Sequence, residues 1–147
     1  MMMYIYLGII TLMTGLDLGM KWIVRQFPED CYLFDIGPLF FCYRMTNTGM
    51  AFSLLTNHTV LVTLLGFVLT IYLIWLFWDS KDPVERIALA VLMGGTLGNL
   101  IDRCMFGGVT DYLCFKYLPQ VVFNFADICV IAGYGVYLLI TLIQGED

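Results

Sequence analysis

The sequence predicts an all-α membrane protein: four transmembrane helices with a small β-rich segment between helices 1 and 2. Three observations carry that expectation. Of the 147 residues, 61% are hydrophobic and 13% charged, against about 45–50% and about 25% in ordinary soluble domains. Mean hydropathy is +0.86. The apolar residues gather into four runs long enough to cross a ~30 Å hydrocarbon core at about 1.5 Å per residue. A soluble domain of this size leaves too much of its surface in water to hide so many apolar side chains. Lipid is therefore the expected solvent, and residues 1–147 are expected to form one integral-membrane domain.

The first span is expected over residues 4–24, Tyr4 to Val24, and contains Asp17 and Lys21. It lacks the basic start and small-residue cleavage site of a secretory signal, so it should remain as an anchor. Residues 25–58 read as extended structure, with Cys31–Phe34 and Leu39–Tyr43 flanking a Gly37-Pro38 turn signal. The second span, 59–78, is uncharged and ends in Trp75, Phe77 and Trp78, aromatics suited to the headgroup level. A short turn, Asp79 to Pro83, follows, with Pro83 placed to begin the third helix.

The third span, 84–101, carries Glu85, Arg86 and Asn99, with Asp102 and Arg103 immediately after it. Residues 103–120 read as a second loop. The fourth span, 121–143, is apolar apart from Asn124 and Asp127 near its start. Four spans put both termini on one side and the two longer segments on the other. Lys81 and Arg86 lie on the first side, whereas Arg25, Arg44, Arg103 and Lys116 lie on the second. Counted literally, basic residues place the longer segments in the cytoplasm. The formal net charge of −5 is scattered, and no basic run exists to track nucleic acid.

Ionisable groups inside spanning helices cost about 2.5–3.5 kcal/mol each on insertion scales and are functional candidates by default. Asp17 and Lys21 are four apart and share a helix face. Asn99, Asp102 and Arg103 fall at i, i+3 and i+4, and Asn124 and Asp127 are three apart. Asp111 lies in the loop just before the chain re-enters the membrane. All these groups fall toward one side of the bilayer, which suggests a reaction centre near one membrane surface. Two neighbouring carboxylates that share one proton suffice for peptide hydrolysis, one taking a proton from water and the other donating. Metal-binding spacings such as CxxC or HExxH are absent, so no cofactor is expected. His58, the only histidine, reads as an interfacial residue.

Five segments, in order, resemble those of the lipoprotein signal peptidase (signal peptidase II) family. They are Asp17-Leu-Gly-Met-Lys21, Asn47-Thr-Gly-Met-Ala-Phe-Ser53, Gly94 to Arg103, Gly107-Gly-Val-Thr-Asp111-Tyr112 and Phe123-Asn-Phe-Ala-Asp127. The resemblance runs from about Leu16 to Tyr137. It implies an aspartic endopeptidase of the bacterial cytoplasmic membrane that cuts diacylglyceryl-modified prolipoproteins just before the lipid-bearing cysteine. It also implies cytoplasmic termini, an extracytoplasmic β-rich segment and active site, and a monomer among membrane lipids, against the charge count. Leu18, Thr96 and Tyr112 depart from residues common in the family.

The resemblance assigns catalysis to Asp111 and Asp127. It assigns substrate positioning or support of the dyad to Asn47, Asn99, Arg103 and Asn124. Arg103 is open to a second reading, an ion pair with Asp102 or a lipid phosphate. Asp17 and Lys21 read either as a helix-tethering pair or as substrate contacts. Gly49 allows a turn or close contact beside Asn47. Ala51 and Phe52 are groove-lining candidates, with a core role equally open for Phe52. Gly94 and Gly98 read as a small-xxx-small packing pair.

Of the five cysteines, Cys31–Cys42 or Cys104–Cys114 could pair in an oxidising compartment, and Cys129 reads as an apolar filler. Two other functional classes fit less well. A proton- or ion-translocating protein would spread its polar groups through the bilayer depth. A packing subunit leaves the carboxylates without a task.

Overall fold

The computed structural model describes residues 2–49 and 58–144. Among these residues four helices, α1 (Met2–Val24), α2 (Thr59–Asp79), α3 (Pro83–Phe106) and α4 (Phe125–Gln144), are interspersed with four strands. These are β1 (Cys31–Ile36), β2 (Phe40–Asn47), β3 (Val109–Phe115) and β4 (Leu118–Phe123). All four helices are long and apolar enough to cross a membrane. Their outward side chains, such as Leu64, Val68, Ile71 and Trp75 of α2, are exposed hydrocarbon and aromatic groups that only lipid would solvate well.

Helix α3 is the central element and packs against α1, α2 and α4. Its interior face is built from small residues, because lipid gives no hydrophobic drive for helix association and close contact must supply it. A Cβ on Gly94 would lie 2.6 Å from Met13 Cβ, and one on Gly95 would lie 2.9 Å from Cys129 Cβ. A Cβ on Gly133 of α4 would lie 2.7 Å from the Ala88 carbonyl oxygen. At the end opposite Asp102, the core is Tyr6, Leu73, Phe77, Leu89, Ala90, Leu92 and Met93, with Tyr6 edge-on to Phe77 at 5.3 Å.

The α2–α3 turn is set by local chemistry. Asp82 is the N-cap of α3, its Oδ1 accepting from Val84 N at 2.7 Å and Glu85 N at 3.0 Å, with Pro83 at the first helical position, where its missing N–H costs nothing. Gln144 Nε2 donates to Asp82 Oδ2 at 3.1 Å, tying the end of α4 to this turn.

The strands correct the sequence-based expectation. The β-rich segment between α1 and α2 exists as a β1–β2 hairpin, with Gly37 at φ +63° in its turn. Residues 103–120 are not a plain loop, however. They continue α3 to Phe106 and then supply β3 and the first half of β4, giving one antiparallel sheet in the order β1-β2-β3-β4. Gly107, at φ +70°, ends α3 in the left-handed conformation that favours glycine. Val121–Phe123 belong to β4 rather than to the fourth helix. Their apolarity runs straight into α4, so hydropathy alone merges strand with helix. Pro119 is tolerated because β4 is an edge strand.

The sheet is seated on the bundle through Val24, Cys42 and Tyr112, with Leu33, Leu113 and Phe125 packed around them. All five cysteines are free thiols. In the hairpin register Cys31 faces Arg44 and Cys42 faces Phe34, so the two cysteines are not opposite one another. Cys129 is buried beside Met13, as an apolar filler should be.

The Gly94/Gly98 spacing has different partners at its two ends, Met13 at one and the Asp17 carboxylate at the other. Gly98→Ala should therefore destabilise by about 1–3 kcal/mol through overpacking. Gly8→Ala, where a Cβ meets nothing within 4 Å, should leave the thermal unfolding midpoint in detergent unchanged or raised. Equal midpoints for the two variants would show that the α1–α3 approach is not set at Gly98.

Candidate active site

The site begins with the N-terminus of α4, where four backbone N–H groups have no partner within the helix. Asn124 is the residue before the helix, and its Oδ1 accepts from Asp127 N at 3.0 Å. Asp127 Oδ2 accepts from Asn124 N at 3.1 Å, which completes a reciprocal capping box. Phe125 N donates to the Tyr112 hydroxyl at 3.2 Å, and Ala126 N donates to Asp17 Oδ1 at 2.9 Å. All four orphan donors are satisfied, two of them by side chains from β3 and α1. Burial pushes the Tyr112 phenol well above its ordinary pKa, so it stays neutral and can also donate to Met20 Sδ at 3.2 Å.

Asp127 Oδ1 accepts from Asn99 Nδ2 at 2.8 Å, which brings α3 to the same carboxylate. Asp111 is carried by β3, not by a loop, and is 2% exposed. Its Oδ1 accepts from Asn124 Nδ2 at 2.6 Å and its Oδ2 from Asn47 Nδ2 at 3.0 Å. Asn124 thus holds both carboxylates, that of Asp111 through its amide nitrogen and that of Asp127 through its backbone N–H, while its amide oxygen caps the Asp127 backbone N–H. Burial, and next the charge of Asp127, push Asp111 up to about 7. The amides of Asn47 and Asn124 and the charge of Lys21 oppose that rise.

Below these residues lies a fully buried ionic cluster. Lys21 Nζ is 2.6 Å from Asp17 Oδ2, donates to Asn99 Oδ1 at 2.8 Å and lies 3.7 Å from Asp102 Oδ2. Because Lys21 occupies the Asn99 oxygen, the Asn99 amide nitrogen is turned toward Asp127.

Asp111, Asp127, Asn47, Asn99 and Arg103 line a cavity of about 410 Å³ whose remaining wall includes Val121, Phe123, Ile128 and Ile131. A smaller cavity of about 190 Å³ beneath α2 shares Asn99, Arg103 and Asp127 with it. Arg103 Nη2 donates to the Gly49 carbonyl at 2.9 Å. The expected alternative of an Arg103–Asp102 ion pair is not what forms. Asp102 faces α1 and pairs with Arg25, since adjacent helix positions point about 100° apart.

Nine of the sequence-based candidates therefore meet in one connected network: Asp17, Lys21, Asn47, Asn99, Asp102, Arg103, Asp111, Asn124 and Asp127. Gly49 joins it through its carbonyl, and its N–H donates to Asn47 Oδ1 at 2.9 Å. Ala51 and Phe52 lie outside the described residues. Sequence reasoning missed Thr110, Tyr112 and Arg25 as members. Arg25 carried a readable signal, since residues 17, 21 and 25 continue one helical face by a further turn.

A family model described as Signal peptidase (SPase) II matches residues 9–143. The chain is 32% identical to a lipoprotein signal peptidase of Bartonella tribocorum, covering 94% of this chain and 86% of that one. It is 31% identical to the one from Clostridioides difficile, covering 97% of each. It is 36% identical to the one from Moorella thermoacetica, covering 87% and 86%. A bacterial membrane enzyme solved by the in meso method at 2.3 Å resolution has the same fold, with a TM-score of 0.86 and 21% identity. That match covers 97% of this chain and 89% of the other.

Asp111 titrates at about 7 in the folded chain against an ordinary 3.8, so the folded state holds this proton more tightly than the unfolded state. Stability linked to it is complete below about pH 3.8 and is lost as pH rises through 7. Between pH 4 and 7 the thermal midpoint of the wild type should therefore fall more steeply with pH than that of Asp111→Asn. Parallel slopes would show that Asp111 does not titrate in this window.

Proposed function

The chain belongs to the signal peptidase II family, and we propose that it cleaves diacylglyceryl-modified prolipoproteins just before the lipidated cysteine, using Asp111 and Asp127 to activate water. It is a multi-pass bacterial membrane protein of a protease family that processes lipoproteins. The observation that carries this reading is the joint presentation of two carboxylates, held by one asparagine, to a single cavity with an apolar wall.

Asp111, raised to about 7, holds the shared proton. Asp127 receives N–H donors on both oxygens and serves as the base. It takes a proton from water as the water oxygen bonds to the scissile carbonyl carbon, while Asp111 donates to the carbonyl oxygen. The proton on Asp127 then passes to the leaving nitrogen as the C–N bond breaks, and the carbonyl proton returns to Asp111. The dyad ends as it began.

The cationic Arg103 and the amide of Asn47 line the cavity and orient the substrate backbone or its lipid ester carbonyls. Asp17, Lys21 and Asp102 are buried behind the dyad and support it. One chain supplies both carboxylates, which fits action as a monomer. A lipid-modified substrate exported through the cytoplasmic membrane requires the sheet and site to face outward, despite the basic residues on that side. The ion-relay reading finds no support, because the opposite half of the bundle interior is Tyr6, Leu73, Phe77, Leu89 and Met93.

Asp111→Asn and Asp127→Asn, purified in detergent and shown to be folded, should each lose about 10²–10⁴-fold in cleavage of a diacylglyceryl prolipoprotein. Full activity in either variant would remove that residue from the chemistry. An inactive wild type would return the relay reading to consideration.

A further inference from the structure

Arg25 follows α1 directly and lies outside every segment that resembles the family. Its guanidinium joins three elements. Nη2 pairs with Oδ1 of the fully buried Asp102 on α3. Nε donates to Thr110 Oγ1 at 2.9 Å, and the guanidinium lies over the Phe106 ring, 3.8 Å from its centroid. The Arg25 carbonyl accepts from Arg44 Nη1 at 3.0 Å, which adds β2.

Thr110 is held twice. Its side chain meets Arg25, and its backbone N–H donates to Asp102 Oδ2 at 2.9 Å. The next residue is Asp111. Where β3 enters the sheet, Thr46 pairs with Thr110 and Met45 with Asp111, so any slip of Thr110 moves the Asp111 carboxylate relative to Asn47, Asn124 and Asp127. Arg25 does not line the cavity and touches neither carboxylate.

We propose that Arg25 is a positioning residue that acts through Thr110, the Arg25–Asp102–Thr110 clamp fixing the depth at which β3 presents Asp111 to Asp127. Lysine cannot replace it. A guanidinium offers planar donors to two acceptors and stacks on an aromatic face, whereas an ammonium is a compact point charge. The clamp also explains how a strand can hold a catalytic group closely. One side of β3 is tied to α1 and α3 before the chain reaches Asp111, and Asn47 and Asn124 hold the carboxyl itself.

The proposal rests on the dyad reading, and the test separates the two. Cleavage of a diacylglyceryl prolipoprotein would be measured in detergent for the wild type, Asp111→Asn, Arg25→Lys, Thr110→Val and the Arg25→Lys/Thr110→Val double variant. Unfolding midpoints and pH profiles would be recorded alongside. Activity retained by Asp111→Asn defeats the dyad reading, and the proposal with it.

With Asp111→Asn inactive, Arg25→Lys and Thr110→Val should each lower kcat about ten- to a hundredfold with KM unchanged, as expected of a small misplacement of a reacting group. The double variant should lose no more than the worse single one, because both act on the same contact. The high-pH limb of the profile should move to lower pH as Asp111 escapes burial and the Asp127 charge, with Lys21 and Arg103 still facing it. A purely structural role would lower the midpoint while leaving kcat per folded enzyme and the pH limb in place. That result, or multiplicative losses in the double variant, overturns the proposal.

Discussion

Burial of the Asp17–Lys21 pair is the constraint on which the rest of the structure depends. Two charges removed from water are tolerated only when nearly every lone pair and proton finds a partner. Here the partners lie on other elements: Ala126 N of α4, Asn99 and Asp102 of α3. In a bundle whose outer surface is solvated by lipid, apolar packing alone distinguishes poorly between helix registers. The ion pair does so sharply. Sliding α1 by one turn against α3 or α4 would leave a charge unpaired, and the helices are fixed by that penalty.

The two candidate catalytic carboxylates reach the same cavity by different mechanical routes. Asp127 sits in the first turn of α4, where the helix N-terminus and its cap hold it. Asp111 sits on β3, where neighbouring strands and the clamp at Thr110 hold it. Asn124 joins the routes, because it is at once the cap of the helix and the amide donor to the strand residue. Asn99 extends the same logic downward, its oxygen taken by Lys21 so that its nitrogen must serve Asp127. The site is thus oriented from below by charge and from the side by backbone.

The spans were legible because lipid demands long uncharged runs, and few other structures use them. The buried polar residues were legible because such residues are costly and recur at helical spacing, as Asp17 and Lys21 do. The second half of the sheet was not legible. Val121–Phe123 carry the same apolarity as the helix that follows, and the pairing of Met45 with Asp111 joins residues far apart in the chain. The partners of Asp102 and Arg103 were not legible either, since two adjacent charges invite a mutual pairing that helix geometry forbids. Arg25 escapes notice because it lies one turn past Lys21, just beyond the end of α1 at Val24.

Gly98 lies against the Asp17 carboxylate rather than against hydrocarbon, and this shapes how the sequence can drift. A larger residue at an ordinary glycine contact can be accommodated when the opposing side chain shortens in a second mutation. Here shortening position 17 removes the partner of Lys21 and uncaps α4 at Ala126, so the second mutation does more harm than the first. Positions 17 and 98 are therefore coupled without a compensating exchange open to them. A glycine outside the candidate dyad is thus confined by a charge that it does not itself carry.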